Sequence, residues 1–156
     1  MTRRSSWGPW GMAALALTMA TGTAQSRPPS VAGVFLGMSE AQARGAVGSA
    51  DRETESLGMR FWDYQRRGVT LIWKEGETGV QGIVVSRGAA GDVGGVKVGD
   101  SAVVLRKQWG TPARVRQEGR FLDFIGAGWV LSAEMKEGTI VEITLMAAGA
   151  VNAERK

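Results

Sequence analysis

The stretch "GVFLGMSEAQARGAVG", residues 33–48, has a second version further along the chain, "GVKVGDSAVVLRKQWG", residues 95–110. In the first version Ser39 precedes Gln42 by three positions, which is the spacing of a capping box at the start of a helix. Gly48 follows the predicted helix, and a glycine at this position commonly ends a helix. Both versions therefore predict a short helix between a serine cap and a glycine. The residues that recur 62 positions later are Gly33, Val34, Gly37, Ser39, Arg44 and Gly48.

The similarity continues beyond the helix. A two-residue gap falls near Leu57, after which the separation is 60 and "RFWDYQRRGVTLIW" (60–73) aligns with "RFLDFIGAGWVLSA" (120–133). Over the whole alignment 13 residues are identical with this single gap. Self-similarity at a nearly fixed period is typical of repeated structural units. We therefore expect two tandem repeats.

Each repeat continues with three segments that have the properties of β-strands. In "RFWDY" (60–64) the alternation places Trp62 and Tyr64 on one side and Phe61 and Asp63 on the other. "GVTLIW" (68–73) and "VQGIVVS" (80–86) follow, with turn residues between them. The sequence thus predicts an α+β fold of two tandem repeats, each a short capped helix on a three-stranded antiparallel sheet. A unit of about 55 residues buries too little surface to be stable alone, so we expect the two sheets to join into one larger concave sheet.

The side of the sheet that faces the helices is predicted to be the core. Aromatic residues on such a side dominate protein cores, and apolar residues one helical turn apart point toward them. The residues predicted to be in the core are Ala43, Val47, Trp62, Tyr64, Trp73, Leu105, Trp109 and Trp129.

The ends of the chain predict an exported protein. Arg3 and Arg4, the apolar run "GMAALALTMATG" and the small residues that follow form the three parts of a secretory signal peptide. We expect a signal peptide at 1–24, a first repeat at 25–86, a Gly-rich linker at 87–94, a second repeat at 95–146 and a disordered tail at 147–156. The predicted location is the periplasm or the extracellular space, with no stable membrane anchor after signal cleavage.

Composition excludes several kinds of function. The chain has no cysteine and no histidine, which excludes catalysis by those residues and zinc sites of the usual type. Loss of the signal peptide removes two arginines and no acid, so the formal net charge falls from +4 to +2. The remaining basic residues form no cluster, whereas a nucleic-acid surface needs a basic stripe. We therefore expect no enzyme activity, no cofactor or metal, and no nucleic-acid partner.

The sheet side that faces away from the helices holds the candidate functional residues. Apolar groups on such a side often mark a surface that binds a partner. The predicted partner-binding residues are Phe61, Asp63, Ile72, Phe121, Asp123 and Val130. An alternative interpretation of Asp63 and Asp123 is a pair of acid/base carboxylates, as in glycosidases.

The segment "FLGMSEAQARGAVG", followed by a strand with Trp62 and Tyr64 and by "GVTLIW", resembles the repeat of the β-lactamase inhibitory protein family. A single copy of a related unit occurs in the small lipoprotein of the outer-membrane β-barrel assembly machinery. The resemblance covers residues 31–146. It implies a helix-backed antiparallel sheet whose open face binds another protein. Because the chain has no cysteine, it has neither the disulfides of the inhibitor nor the acyl anchor of the lipoprotein.

Together these features predict an exported, non-catalytic module that binds another protein through the open face of its sheet. Its role would be that of an envelope scaffold or assembly factor, or of an inhibitor of a secreted enzyme. The alternative is a protein that binds a small molecule or a glycan in the groove between the repeats.

Overall fold

The structure is a computed structural model that describes residues 27–151. The predicted signal peptide at 1–24 lies outside the described residues. The helices are α1 (Glu40–Val47), α2 (Ala102–Trp109) and the single turn α3 (Ala148–Val151). None of the helices in 27–151 is long and apolar enough to cross a membrane. The strands are β1 (Arg52–Ser56), β2 (Met59–Tyr64), β3 (Val69–Lys74), β4 (Gly82–Val85), β5 (Arg114–Arg116), β6 (Phe121–Gly126), β7 (Trp129–Lys136) and β8 (Thr139–Ala147).

The strands form one antiparallel sheet in the order β1-β2-β3-β4-β8-β7-β6-β5. The α+β class and the single sheet are as predicted, but the sheet has eight strands where the sequence predicts six. The two additional strands, β1 and β5, lie at the two edges of the sheet. Each half of the sheet consists of four consecutive strands, and the halves join where β4 pairs with β8.

Local structure before each set of strands is the same in both halves. The Ser39 hydroxyl accepts a hydrogen bond from the Gln42 N–H, and the Ser101 hydroxyl accepts one from the Val104 N–H. The glycines that end the two helices, Gly48 and Gly110, have φ values of 82° and 78°, a region that residues with a Cβ rarely adopt. The sequence signal at residues 33–48 and 95–110 therefore predicts both helices correctly.

One hydrophobic core runs through both halves on the helix side of the sheet. The predicted core residues are buried there, except that Trp109 is only partly buried. Trp109 packs edge to face against Trp129, with ring centroids 5.6 Å apart. At the junction of the halves, Ile83 of β4 pairs with Leu145 of β8, and both side chains are buried. The two halves consequently share their core as well as their sheet.

Two predicted boundaries differ from the structure. The linker at 87–94 contains a short 3₁₀ turn, Gly88–Ala90, and the side chains of Ala90 and Val93 belong to the core. In the tail, Ala147 is the last residue of β8 and Ala148–Val151 form α3. Residues 152–156 lie outside the described residues. In the linker, the Gly-rich composition conceals two apolar side chains that belong to the core.

Candidate functional site

The six predicted partner-binding residues all lie on the sheet side opposite the helices, which we call the outer face. Alternate residues of each strand point to opposite sides, and the neighbours of these six, such as Trp62 and Leu131, are in the core. Five of the six are partly exposed, whereas Asp123 is buried with 5% of its surface accessible. The cross-strand register arranges the outer face into three parallel rows of side chains.

The first row crosses the sheet as an almost continuous apolar line. Gly82 lies at its middle, where a Cβ atom would collide with the Met146 sulfur. The Met146 side chain thus covers the position that Gly82 leaves open. Ile125, at the end of the row, is 46% exposed. This apolar row consists of Phe61, Ile72, Gly82, Met146, Val130 and Ile125, with Thr54 beside Phe61 at the edge.

The second row is mostly polar, and from either edge it begins with an arginine, an aspartate and a hydroxyl residue. It contains both candidate aspartates. Five strand spacings separate Asp63 from Asp123, which is about 24 Å. Acid/base carboxylate pairs in glycosidases lie within about 10 Å of each other, so these two cannot act on one bond. This polar row consists of Arg52, Asp63, Thr70, Val84, Thr144, Ser132, Asp123 and Arg114.

The third row contains Arg116, Phe121, Glu134 and Glu142. It corresponds to the apolar row of the first half, because in each case the phenylalanine lies two residues before the aspartate on the same strand. The structure therefore places Phe61 and Phe121 in different rows, on opposite sides of the polar row. We call the third row the charged row.

Asp123 is held by a network of hydrogen bonds. The Arg116 Nε donates to Asp123 Oδ2 at 2.7 Å and its Nη2 donates to Oδ1 at 3.0 Å, while the Ser132 hydroxyl donates to Oδ1 at 2.7 Å. Burial by itself would raise the pKa of Asp123, but the hydrogen bonds from Arg116 and Ser132 outweigh it and hold the pKa below its ordinary value. The Arg116 guanidinium also lies 4.9 Å from the centre of the Phe121 ring. Asp123 is thus neutralised within its own half.

Asp63 has fewer partners. The Thr70 hydroxyl donates to its Oδ1 at 2.7 Å, and the ion pairs among residues 27–151 do not include Asp63. A hollow of about 280 Å³ lies beside this pair and is lined in part by Gln65, Ser86 and Arg87. The two aspartates that the sequence pairs as equivalents therefore differ in their surroundings.

In the charged row two glutamates face each other, and only Glu134 forms an ion pair among residues 27–151. Glu134 accepts hydrogen bonds from Arg120 at 2.9 and 2.6 Å, and Glu142 faces it from the next strand. Burial and the neighbouring charge of Glu134 raise the pKa of Glu142. No cluster of three or more acidic side chains suited to a metal ion occurs among residues 27–151.

Two hollows on the molecule lie one in each half of the sheet. The 280 Å³ hollow belongs to the first half, and an open depression of about 710 Å³, lined by Arg106, Arg120 and Glu134 among others, belongs to the second. Between them β4 and β8 are joined by direct pairing.

Two functional candidates escaped the sequence analysis. Ile125 and Met146 extend the apolar row, but their strand positions become visible only once the register between strands is known. The signal that could have found them is the alternation in "FLDFIG" and "EITLMA", which places Ile125 and Met146 on the outer face.

The class that fold and site define is an α+β domain with one eight-stranded antiparallel sheet, helices on one face and a partly apolar face opposite them. No protein-family model matches the chain. No curated protein is similar to it in sequence.

Solved structures with a similar fold include the following two. One is a cysteine-rich secretory protein from Staphylococcus aureus, with a TM-score of 0.58 and 10% identity, over 80% of this chain and 49% of that one. The other is an extracellular protein containing an SCP domain from Bacillus anthracis, with a TM-score of 0.52 and 9% identity, over 99% of this chain and 53% of that one. This chain thus matches about half the length of each. At these identities the likeness concerns the fold alone.

Proposed function

We propose that this chain is an exported, non-catalytic module that binds another protein through the outer face of its sheet. The role would be that of an envelope scaffold or assembly factor, or of an inhibitor of a secreted enzyme. The proposal needs no cofactor. The observation that carries it is the apolar row, which extends over six strands on a partly exposed face.

The contrast between the apolar row and the charged row supports a binding role. Both rows lie beside the polar row in equivalent positions, yet Ile72 in one corresponds to Glu134 in the other, and Gly82 to Glu142. The fold accommodates charged side chains at these positions, so its stability does not require the apolar ones. Contiguous exposed apolar surface on a soluble domain commonly marks a protein interface, with aromatic side chains such as Phe61 as anchors.

Other features support export and a duplicated architecture. The predicted signal peptide and the secretory and extracellular structural neighbours favour a periplasmic or secreted location. The matched helix caps and glycine turns 62 residues apart favour two tandem repeats similar to those of the β-lactamase inhibitory protein, with the outer face as the concave side of the sheet. The four-stranded halves revise the three-stranded repeat that the sequence predicts.

The test compares two surface substitutions on opposite sides of the molecule. Ile125→Asp puts a charge into the apolar row, and Val103→Asp puts the same charge on α2, where Val103 is 75% exposed. Each immobilised chain is incubated with envelope and secreted fractions of the cells that produce it, and bound proteins are identified by mass spectrometry. We expect one stoichiometric partner with the unaltered chain and with Val103→Asp, and loss of that partner with Ile125→Asp. Thermal melting checks that both variants are folded.

Two outcomes would contradict the proposal. Equal capture by Ile125→Asp and the unaltered chain would place the binding surface elsewhere. No capture by a folded, unaltered chain would favour the alternative, binding of a small molecule or glycan, and would direct a ligand screen to the two hollows.

A further inference from the structure

The second half of the molecule shows how the outer face holds an arginine side chain. Arg116 contributes two donors to the Asp123 carboxylate, its Nη2 lies 3.1 Å from the Ser132 hydroxyl, and its guanidinium lies over the Phe121 ring. A planar guanidinium matches a carboxylate with two parallel hydrogen bonds and also stacks on aromatic rings. The arrangement is therefore a complete arginine site, occupied from within the chain.

The first half repeats this arrangement without the arginine. Asp63 corresponds to Asp123, Phe61 to Phe121, and the Thr70 hydroxyl lies 2.7 Å from Asp63 Oδ1, the same distance as from Ser132 to Asp123. The residue that faces Phe61 from the edge strand is Thr54, whereas Arg116 faces Phe121. A threonine side chain is too short to reach the carboxylate as Arg116 does.

The other basic residue near Asp63 does not replace the missing arginine. Arg52 faces Asp63 across the strands just as Arg114 faces Asp123. In the second half it is Arg116, and not Arg114, that forms the ion pair with the aspartate. In the first half Arg52 makes no ion pair with Asp63 within the described part of the chain. Among the described residues, neither Arg52 nor Arg114 thus forms the ion pair that Arg116 forms.

We infer that Asp63, Thr70 and Phe61 form a binding site for an arginine side chain of the partner protein. The inference rests on the proposed function, since Phe61 is also the first residue of the apolar row. A fitting partner segment carries an arginine next to apolar side chains, with the guanidinium on Asp63 and the apolar groups along Ile72 and Met146.

The site should prefer arginine to lysine. A guanidinium forms two directed hydrogen bonds to a carboxylate and stacks on an aromatic ring such as that of Phe61, neither of which an ammonium group matches.

The experiment measures binding of single side-chain probes to the full chain by ¹H–¹⁵N NMR titration. The probes are N-acetyl-arginine N-methylamide and its citrulline and lysine counterparts, of which citrulline has the same shape as arginine without the charge. We expect saturable shifts of the Asp63, Thr70 and Phe61 amides with arginine, and affinity about tenfold lower for citrulline, as loss of a charge-assisted hydrogen bond implies. Lysine should lie between them.

Two variants at one position provide a matched pair. Thr54→Arg supplies the missing side chain from within the chain, as Arg116 does, and should abolish binding of the arginine probe. Thr54→Gln adds a long neutral side chain at the same place and should leave binding within about twofold. Asp63→Asn should remove the shifts.

The inference is overturned if citrulline binds as well as arginine, if the largest shifts fall at Glu134 or Glu142, or if Asp63→Asn binds as before. Its failure is separable from that of the proposed function. A partner that is lost with Ile125→Asp while the arginine probe does not bind would leave the docking face intact and remove only the arginine site. Arginine binding at Asp63 without any captured protein would instead contradict the proposed function.

Discussion

The two halves of this sheet share one backbone plan and differ in what their edge strands contribute to the outer face. In the second half Arg116 of β5 satisfies Asp123, whereas in the first half Thr54 of β1 leaves Asp63 with a single hydroxyl partner. The same contrast runs through the neighbouring rows, apolar beside Phe61 and charged beside Phe121. The second half thus supplies an ion pair to its aspartate, whereas among residues 27–151 the first half supplies none to Asp63. Differences between equivalent positions in a duplicated architecture indicate function more directly than either half would alone.

The largest expected effect tests whether the halves are one folding unit. Ile83→Ala removes a buried side chain at the junction and should lower the free energy of unfolding by about 3 kcal/mol, as for other large-to-small core changes. Because the core is shared, we expect the slowest-exchanging amides of β2 and β6 to lose protection equally in hydrogen-exchange measurements. Val115→Ala, at the exposed edge strand β5, is the control and should change stability by less than about 0.5 kcal/mol. Loss of protection in β2 alone would show that the halves unfold separately.

The second prediction compares the two edge positions. Arg116→Ala leaves the buried Asp123 carboxylate without its ion pair and should cost about 2 kcal/mol in urea denaturation, the range for hydrogen bonds to charged groups. Thr54→Ala, the equivalent change in the first half, should cost less than about 0.5 kcal/mol. Arg116→Lys keeps the charge but loses the paired donors, so its cost should fall between the two. Equal costs for the two alanine variants would contradict the difference between the aspartates.

The third prediction concerns acid. The folded state lowers the pKa of Asp123, so its contribution to stability is present above the pKa of the unfolded chain and is lost as the pH falls through the folded value. Denaturation curves between about pH 5 and pH 2 should therefore lose stability more steeply for the unaltered protein than for Asp123→Asn. Parallel curves for the two proteins would rule out this contribution. Asp63→Asn serves as the matched comparison in the other half.

The smallest expected effect comes from Glu142, whose pKa shift has the opposite direction to that of Asp123. The folded state raises the pKa of Glu142, so stability is present below the unfolded pKa and is lost as the pH rises through the folded value. Glu142→Gln removes a charge opposite Glu134 and should stabilise the protein at pH 7 by about 0.5 kcal/mol, the scale for like-charged cross-strand pairs. At pH 3 the substitution should be neutral. A destabilisation at pH 7 would show that Glu142 makes a favourable contact in the folded state.

Sequence patterns predicted the parts of this fold that depend on local chemistry. The serine caps, the glycines after the helices and the alternation in "RFWDY" are short-range signals, and they located both helices and the sides of β2 correctly. The edge strand β1, "RETES", was missed because it is exposed and has no apolar alternation. Charged residues are common on edge strands, where they discourage pairing with other chains, so this strand has the composition of a loop.

The arrangement of the candidate site depended on a register that sequence does not show. In the first half four residues, 65–68, connect β2 to β3, whereas only Ala127 and Gly128 connect β6 to β7. The shorter turn shifts the pairing by two residues, so Asp123 faces Ser132 rather than Val130, the residue that aligns with Thr70. The alignment alone therefore predicted equivalent positions on the outer face for Phe61 and Phe121. The structure instead places them on opposite sides of the polar row.

The central pairing of β4 with β8 also determines when the sheet can form during synthesis. β8 is the last strand made, yet it lies in the middle of the sheet and covers the edge of β4. Until β8 emerges, the first half carries an open edge whose unpaired backbone groups can associate with other chains. Pairing between strands so far apart in sequence is also slow to form. The nascent chain therefore exposes this edge from the completion of β4 at Val85 until β8, Thr139–Ala147, has been made.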